Sequence, residues 1–163
     1  MFISLVLRFY VTDGAKLCQE KISKVGLNNK KIEQLSKRLN SEFQQIAFAL
    51  IFGSAVTENF SDNSDLDIAV FLKPDNRSPE LIAGIIGVTE EVIPGYSCDL
   101  LILNDAGELI AMEALKGKII FIRDSALDDY VDFYSLTCRL YEDRQAWMKK
   151  QLKYRGYEVQ WDN

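Results

Sequence analysis

Residues 46–72 read IAFALIFGSAVTENFSDNSDLDIAVFL, two apolar runs around a polar middle. The first run, 46–52, is short, continuous and ends directly at Gly53, the pattern of a buried strand. Residues 54–59 have room for one or two helical turns, and SDNSD (61–65) has loop composition. DLDIAVFL (65–72) is a second strand, ended by Pro74. Two aspartates therefore stand at the mouth of an apolar strand. Side chains at i and i+2 of a strand share a face, so Asp65 and Asp67 hold two negative charges on one side. Like charges that close repel, and aspartate is disfavoured in strands. A solvated strand end would leave them in water. A divalent cation would compensate them, and magnesium takes one or two carboxylates together with substrate phosphates. Twelve residues upstream of Asp65, a strand runs into Gly53-Ser54 and then a turn. That is either an ordinary turn capped by Ser54 or a phosphate cradle, with backbone N–H groups free and glycine permitting close approach.

Working outward, Ile32, Leu35, Leu39 and Phe43 form one stripe of a helix over 28–45, capped by Asn28 or Asn29. Residues 78–92 make a helix with Ser78 as cap and Pro79 at its first position, and Pro94-Gly95 breaks the chain. SCDLLIL (97–103) is a third strand. GELIAMEALKG (107–117) is a short helix with Gly117 as its C-cap, and KIIFI (118–122) is a fourth strand. Asp124-Ser125 starts a long helix over 126–153, with Leu127, Val131, Tyr134, Cys138, Tyr141 and Met148 in a stripe that Phe133, Leu136, Leu140 and Trp147 widen. The order α-β-α-β-α-β-α-β-α predicts a small α/β (α+β) domain, a mixed sheet flanked by helices with a long C-terminal helix. Residues 28–163 form this single domain. Residues 1–27, beginning MFISLVLRFYV, are an N-terminal extension packed on the body or flexibly attached.

The bulk numbers agree with one soluble domain. A chain of 163 residues can bury about 70% of its unfolded surface. The net charge of −5 argues against a duplex nucleic-acid binder, which shows a basic face. No stretch approaches a membrane span, so neither direct nucleic-acid nor membrane contact is expected. Cys18, Cys98 and Cys138 are odd in number and widely spaced, which fits buried packing and a cytoplasmic setting rather than a disulfide framework. The chain has no histidine, which removes histidine bases, triads and metal ligands together.

A third acidic residue, Asp99, opens another apolar strand and can project beside Asp65 and Asp67 if that strand lies next to 65–72. Read alone, it is equally a turn residue after Pro-Gly. Three carboxylates and a phosphate cradle together are the inventory for two-metal nucleotidyl transfer, with a carboxylate such as Asp99 as the available base. Gly53-Ser54, ten residues, then Asp65-x-Asp67 resembles the G-S-x10-D-x-D signature of the nucleotidyltransferase superfamily that includes DNA polymerase beta. Asp99 matches that family's third carboxylate. The small size and the block EALKGKIIFIRD before a long aromatic helix resemble the minimal nucleotidyltransferases, in particular MntA-type antitoxins paired with HEPN toxins. The resemblance covers roughly residues 28–150.

The resemblance implies a nucleotidyltransferase fold and an enzyme using ATP and two magnesium ions. Gly53 and Ser54 would contact the β- and γ-phosphates. Asp65 and Asp67 would hold both ions, and Asp99 would complete the second site. AMP would pass to a hydroxyl, a tyrosine of a HEPN RNase toxin in MntA-like systems, silencing it. The chain departs from G-S-R-A-R-G relatives, reading Gly53-Ser54-Ala55-Val56-Thr57-Glu58 without the basic residue. Lys73, Lys116, Lys118 and Arg123 are the candidates to replace that charge. The aromatic residues of the last helix, Tyr130, Phe133, Tyr134, Tyr141 and Trp147, are mostly core, with one face left for a partner chain. The tail from Arg144 holds five basic residues before Glu158, a solvated end or a clamp on an acidic or RNA-bound partner. Two other functions fit the same chain. One is a toxin-binding antitoxin that acts by occlusion with weak catalysis. The other is a small-molecule nucleotidyltransferase, for which 163 residues leave little room for a substrate domain.

Overall fold

The run at 46–51 becomes the central strand because every one of its side chains finds cover. In β1 (Ile46–Ile51) all six residues are buried. The computed structural model describes residues 29–157, apart from 58–60, 62–63 and 74–76. β1 pairs antiparallel with β2 (Leu66–Leu72) on one side and with β4 (Lys118–Ile122) on the other. β3 (Cys98–Ile102) lies parallel to β2, so the order is β3-β2-β1-β4. The parallel pair needs a crossover, which α2 (Pro79–Val92) supplies. Ser78 caps α2 by accepting from the Leu81 N–H, with Pro79 at the first helical position.

α1 (Asn29–Glu42) and α2 cover one face, where Leu35, Leu39 and Ile85 pack on Ile51, Ile68 and Val70. The other face carries Phe48, Phe52 and Ala69 under α3 (Glu108–Leu115) and α4 (Leu127–Tyr154). Strand alternation puts Asp67 with Ala69 and Phe71 on this second face. Its centre is aromatic: Phe48 stacks on Phe71 with centroids 4.9 Å apart and meets Tyr130 edge-on at 5.1 Å.

Arg123 locks the far end of the sheet. Its guanidinium donates to the carbonyls of Ile46 (2.6 Å), Asn40 (2.7 Å) and Phe43 (2.9 Å), capping the C-terminus of α1 and holding it to β1. Replacing Arg123 by alanine removes all three charge-assisted donations, although the Phe43 carbonyl keeps the Ile46 N–H and the Asn40 carbonyl keeps the Gln44 amide. The expected cost is about 3 kcal/mol, a fall of roughly 6–12 °C in the thermal midpoint, measured by calorimetry. Tyr130 gives the fold an alkaline limit. Burial pushes its hydroxyl from 10.0 up to about 12, so the neutral form is favoured in the folded state. That contribution is complete below pH 10 and is lost as pH rises toward 12. Its full size is about 3 kcal/mol. Tyr130→Phe keeps the ring and should move the alkaline unfolding midpoint upward in a pH-dependent denaturant titration.

Several boundaries differ from expectation. α1 stops at Glu42 rather than 45, because the chain turns through Phe43 into β1. The second expected helix is a single 3-10 turn over Gly53–Val56. Gly117 is not the C-cap of α3. Lys116 holds that place in right-handed helical conformation, and Gly117 is required because a Cβ would strike the backbone of Ile51 and lie 2.8 Å from Phe52 Cβ. α4 meets the body through Tyr130, Phe133 and Thr137 rather than through the stripe from Leu127 to Met148. Tyr134 and Trp147, expected mostly in the core, are 42% and 59% exposed. Cys98 and Cys138 are half-buried rather than buried. The expected extension over 1–27, Cys18 and Pro74 lie outside the described residues. No helix among those described is long and apolar enough to cross a membrane.

Candidate active site

The β2–β3 register decides the site. Leu66 pairs with Cys98, and Asp67 pairs with Asp99. Parallel neighbours in register point the same way, so the Asp67 and Asp99 side chains share the face that α3 and α4 occupy farther along. Cys98 points to the opposite face and packs on the other core, as alternation requires.

Asp65 lies one residue before β2. The Leu66 N–H donates to the Ser97 carbonyl at 2.8 Å, which sets Ser97 beside Asp65, and the Ser97 hydroxyl donates to the Asp65 carboxylate. Sequence reading did not single out Ser97. Its only signal is the β2–β3 register, which no single strand carries.

The Gly53 turn closes over Asp67 from the other side. The Phe52 N–H donates to the Asp67 carbonyl at 3.1 Å, extending the β1–β2 pairing by one residue. The chain then turns through Gly53, whose φ of +65° lies in the left-handed region that suits glycine. A Cβ on Gly53 would overlap the Asp67 carboxylate oxygen and lie 2.9 Å from Cγ. The Ser54 backbone N–H is directed at the Asp67 carboxylate. The cradle expected for phosphate is thus also a seat for Asp67.

The electrostatics follow. Desolvation raises the Asp67 pKa above the usual carboxylate value, the charges of Asp99 and Asp65 raise it further, and the Ser54 N–H opposes them. Asp65 and Asp99 are exposed, and Asp67 is half-buried. Among the described residues no three Asp, Glu or Cys side chains are drawn together tightly enough to enclose a metal ion. Even so, the donor set fits one: hard carboxylate oxygens, one of them destabilised by its neighbours' charge, beside a turn with no Cβ in the way.

Of the four cations weighed for this site, two stand at the wrong end of the sheet. Lys73 follows β2, about 20 Å along the strand from Asp67. Arg123 follows β4 and is committed to α1. Lys116 and Lys118 flank the cradle end, since Lys118 pairs with Ile51 at the close of β1. Lys116 is held by Glu113 at 2.6 Å and lies over the Tyr141 ring, and Lys118 donates to the Asn29 side chain at 3.3 Å. Glu58 lies outside the described residues.

The family model described as "Polymerase beta, Nucleotidyltransferase" matches residues 20–126. No curated protein matches the chain significantly. Solved structures with the same fold include a toxin–antitoxin with AMP-PNP, 23% identical with a TM-score of 0.59. A second is the toxin–antitoxin MntA–HepT, 19% identical at 0.57. A third is a tri-AMPylated Shewanella oneidensis HEPN toxin in complex with MNT antitoxin, 19% identical at 0.58. Each alignment covers 80% of this chain and 100% of the other. At these identities the likeness is one of fold: a mixed four-stranded sheet, flanking helices and a long C-terminal helix.

Proposed function

Because the chain belongs to the polymerase beta nucleotidyltransferase family, we propose that it is an antitoxin that transfers AMP from ATP to a tyrosine hydroxyl of a HEPN-type RNase toxin, silencing it. The observation that carries this reading is the register that sets Asp67 beside Asp99 under the Gly53-Ser54 turn. Two fold relatives support it, one described with AMP-PNP and one with a tri-AMPylated HEPN toxin. In the reaction the acceptor oxygen attacks the α-phosphorus, the bond to the bridging oxygen breaks and pyrophosphate leaves. Asp99 takes the acceptor proton. Gly53 and Ser54 approach the β- and γ-phosphates, and Ser97 orients Asp65. Asp65, Asp67 and Asp99 would hold two magnesium ions, which neutralise phosphate charge and acidify the attacking hydroxyl when bound. The half-buried, unpaired thiols suit a cytoplasmic setting.

Incubating the protein with ATP, magnesium and the product of the adjacent gene should add whole AMP units to that partner, read by intact mass. No mass shift with any nucleotide would sink the reading. The absent cation after Ser54 favours a second reading, neutralisation by occlusion. In that case the partner binds without gaining mass.

A further inference from the structure

α4 carries an apolar stripe that the domain covers only at its first residue, Phe133, which packs on Phe48 and Phe71. Phe133, Leu140, Trp147 and Tyr154 recur every seven residues, and Leu136 stands three after Phe133. Leu136 is 48% exposed, Leu140 47% and Trp147 59%. The first half of the stripe borders a groove of about 380 Å³ between α3 and α4, floored by Phe71, Leu103 and Ala111. Seven-residue spacing on an exposed helix is the pattern that receives another helix. The rim adds a sign. Asp129 and Asp132 line the groove and make no ion pair among the described residues, whereas Glu108 is held by Arg144 at 2.9 Å.

We propose that this groove docks an amphipathic helix of a helical partner protein, with lysine or arginine flanking its apolar stripe. The proposal rests on the toxin-partner reading above and gives that partner a place. Asp67 and Phe71 lie on one face of β2, four residues and about 13 Å apart. A protein whose helix sits in the groove is therefore anchored about 13 Å from Asp67 on the same sheet face, near enough for another part of it to bring a hydroxyl there. A second copy of this chain fits less well, since two α4 helices crossing antiparallel at Leu136 set Asp129 against Asp143.

Two fluorescein-labelled helical peptides with the same leucine heptads, one flanked by lysine and one by glutamate, test the surface by anisotropy. The lysine peptide should bind at least tenfold more tightly. Leu136→Glu with Leu140→Glu should weaken it at least tenfold with an unchanged thermal midpoint, as both residues are about half exposed. Asp129→Lys with Asp132→Lys should reverse the preference. Equal binding of both peptides, no binding, or indifference to the variants overturns the proposal. So does a wild-type dimer in sedimentation velocity that the leucine variants dissociate. The titration needs neither ATP nor magnesium, so loss of AMP transfer with intact peptide binding strikes the catalytic reading alone.

Discussion

On the proposed function, Asp65→Asn with Asp67→Asn should abolish nucleotidyl transfer while leaving the domain folded and able to bind the proposed partner. The two substitutions remove the charges expected to balance magnesium and triphosphate. Preorganised charge of this kind is worth about 10²–10³ in rate per group, so transfer should fall at least about 10³-fold. Stability moves the other way. Asp67 is desolvated and repelled by Asp65 and Asp99, so neutral amides relieve a native-state penalty. The thermal midpoint should hold or rise, which separates lost chemistry from lost structure. Full protection of cells by the double variant would exclude catalysis as the mechanism and leave occlusion.

Gly53→Ala is the second large effect, and it works through geometry. Two penalties coincide at this residue. A φ of +65° costs a non-glycine residue about 1–2 kcal/mol, and the added Cβ overlaps the Asp67 carboxylate. The turn or the carboxylate must shift. A displacement on the order of 1 Å at reacting groups costs about 10²-fold in rate. Alanine at 53 should therefore lower kcat about 100-fold with a modest drop in midpoint, measured by single-turnover transfer and calorimetry. Unchanged kcat would mean that Asp67 is not held by this turn.

The chain's own pattern reached far into the fold. The run 46–51 reads as a buried strand because it is apolar throughout, and all six residues are covered. KIIFI matches β4 residue for residue, and Ser78-Pro79 marks the start of α2. These features are local, with the period, the cap and the breaker all lying within a few residues. The misread positions depend on distant neighbours. Gly117 looks like a helix cap in sequence, yet what excludes a side chain there is β1, 66 positions earlier at Ile51. α4 offers apolar residues around several faces, and sequence alone does not show which of them meet Phe48 and Phe71.

The opening stretch divides the same way. By itself it determined a strand, a glycine turn and a second strand entered through two aspartates, because those signals are periodicity and composition. Only the tertiary structure decided which carboxylates meet. Pairing Asp67 with Asp99 is a matter of register between strands 32 residues apart, and register is set by how two apolar faces seat on the same core. The tertiary structure also made Gly53, expected from sequence as a phosphate contact, the gap that admits Asp67. It sent Arg123 to α1 because the capped helix end and the candidate site lie at opposite ends of one sheet.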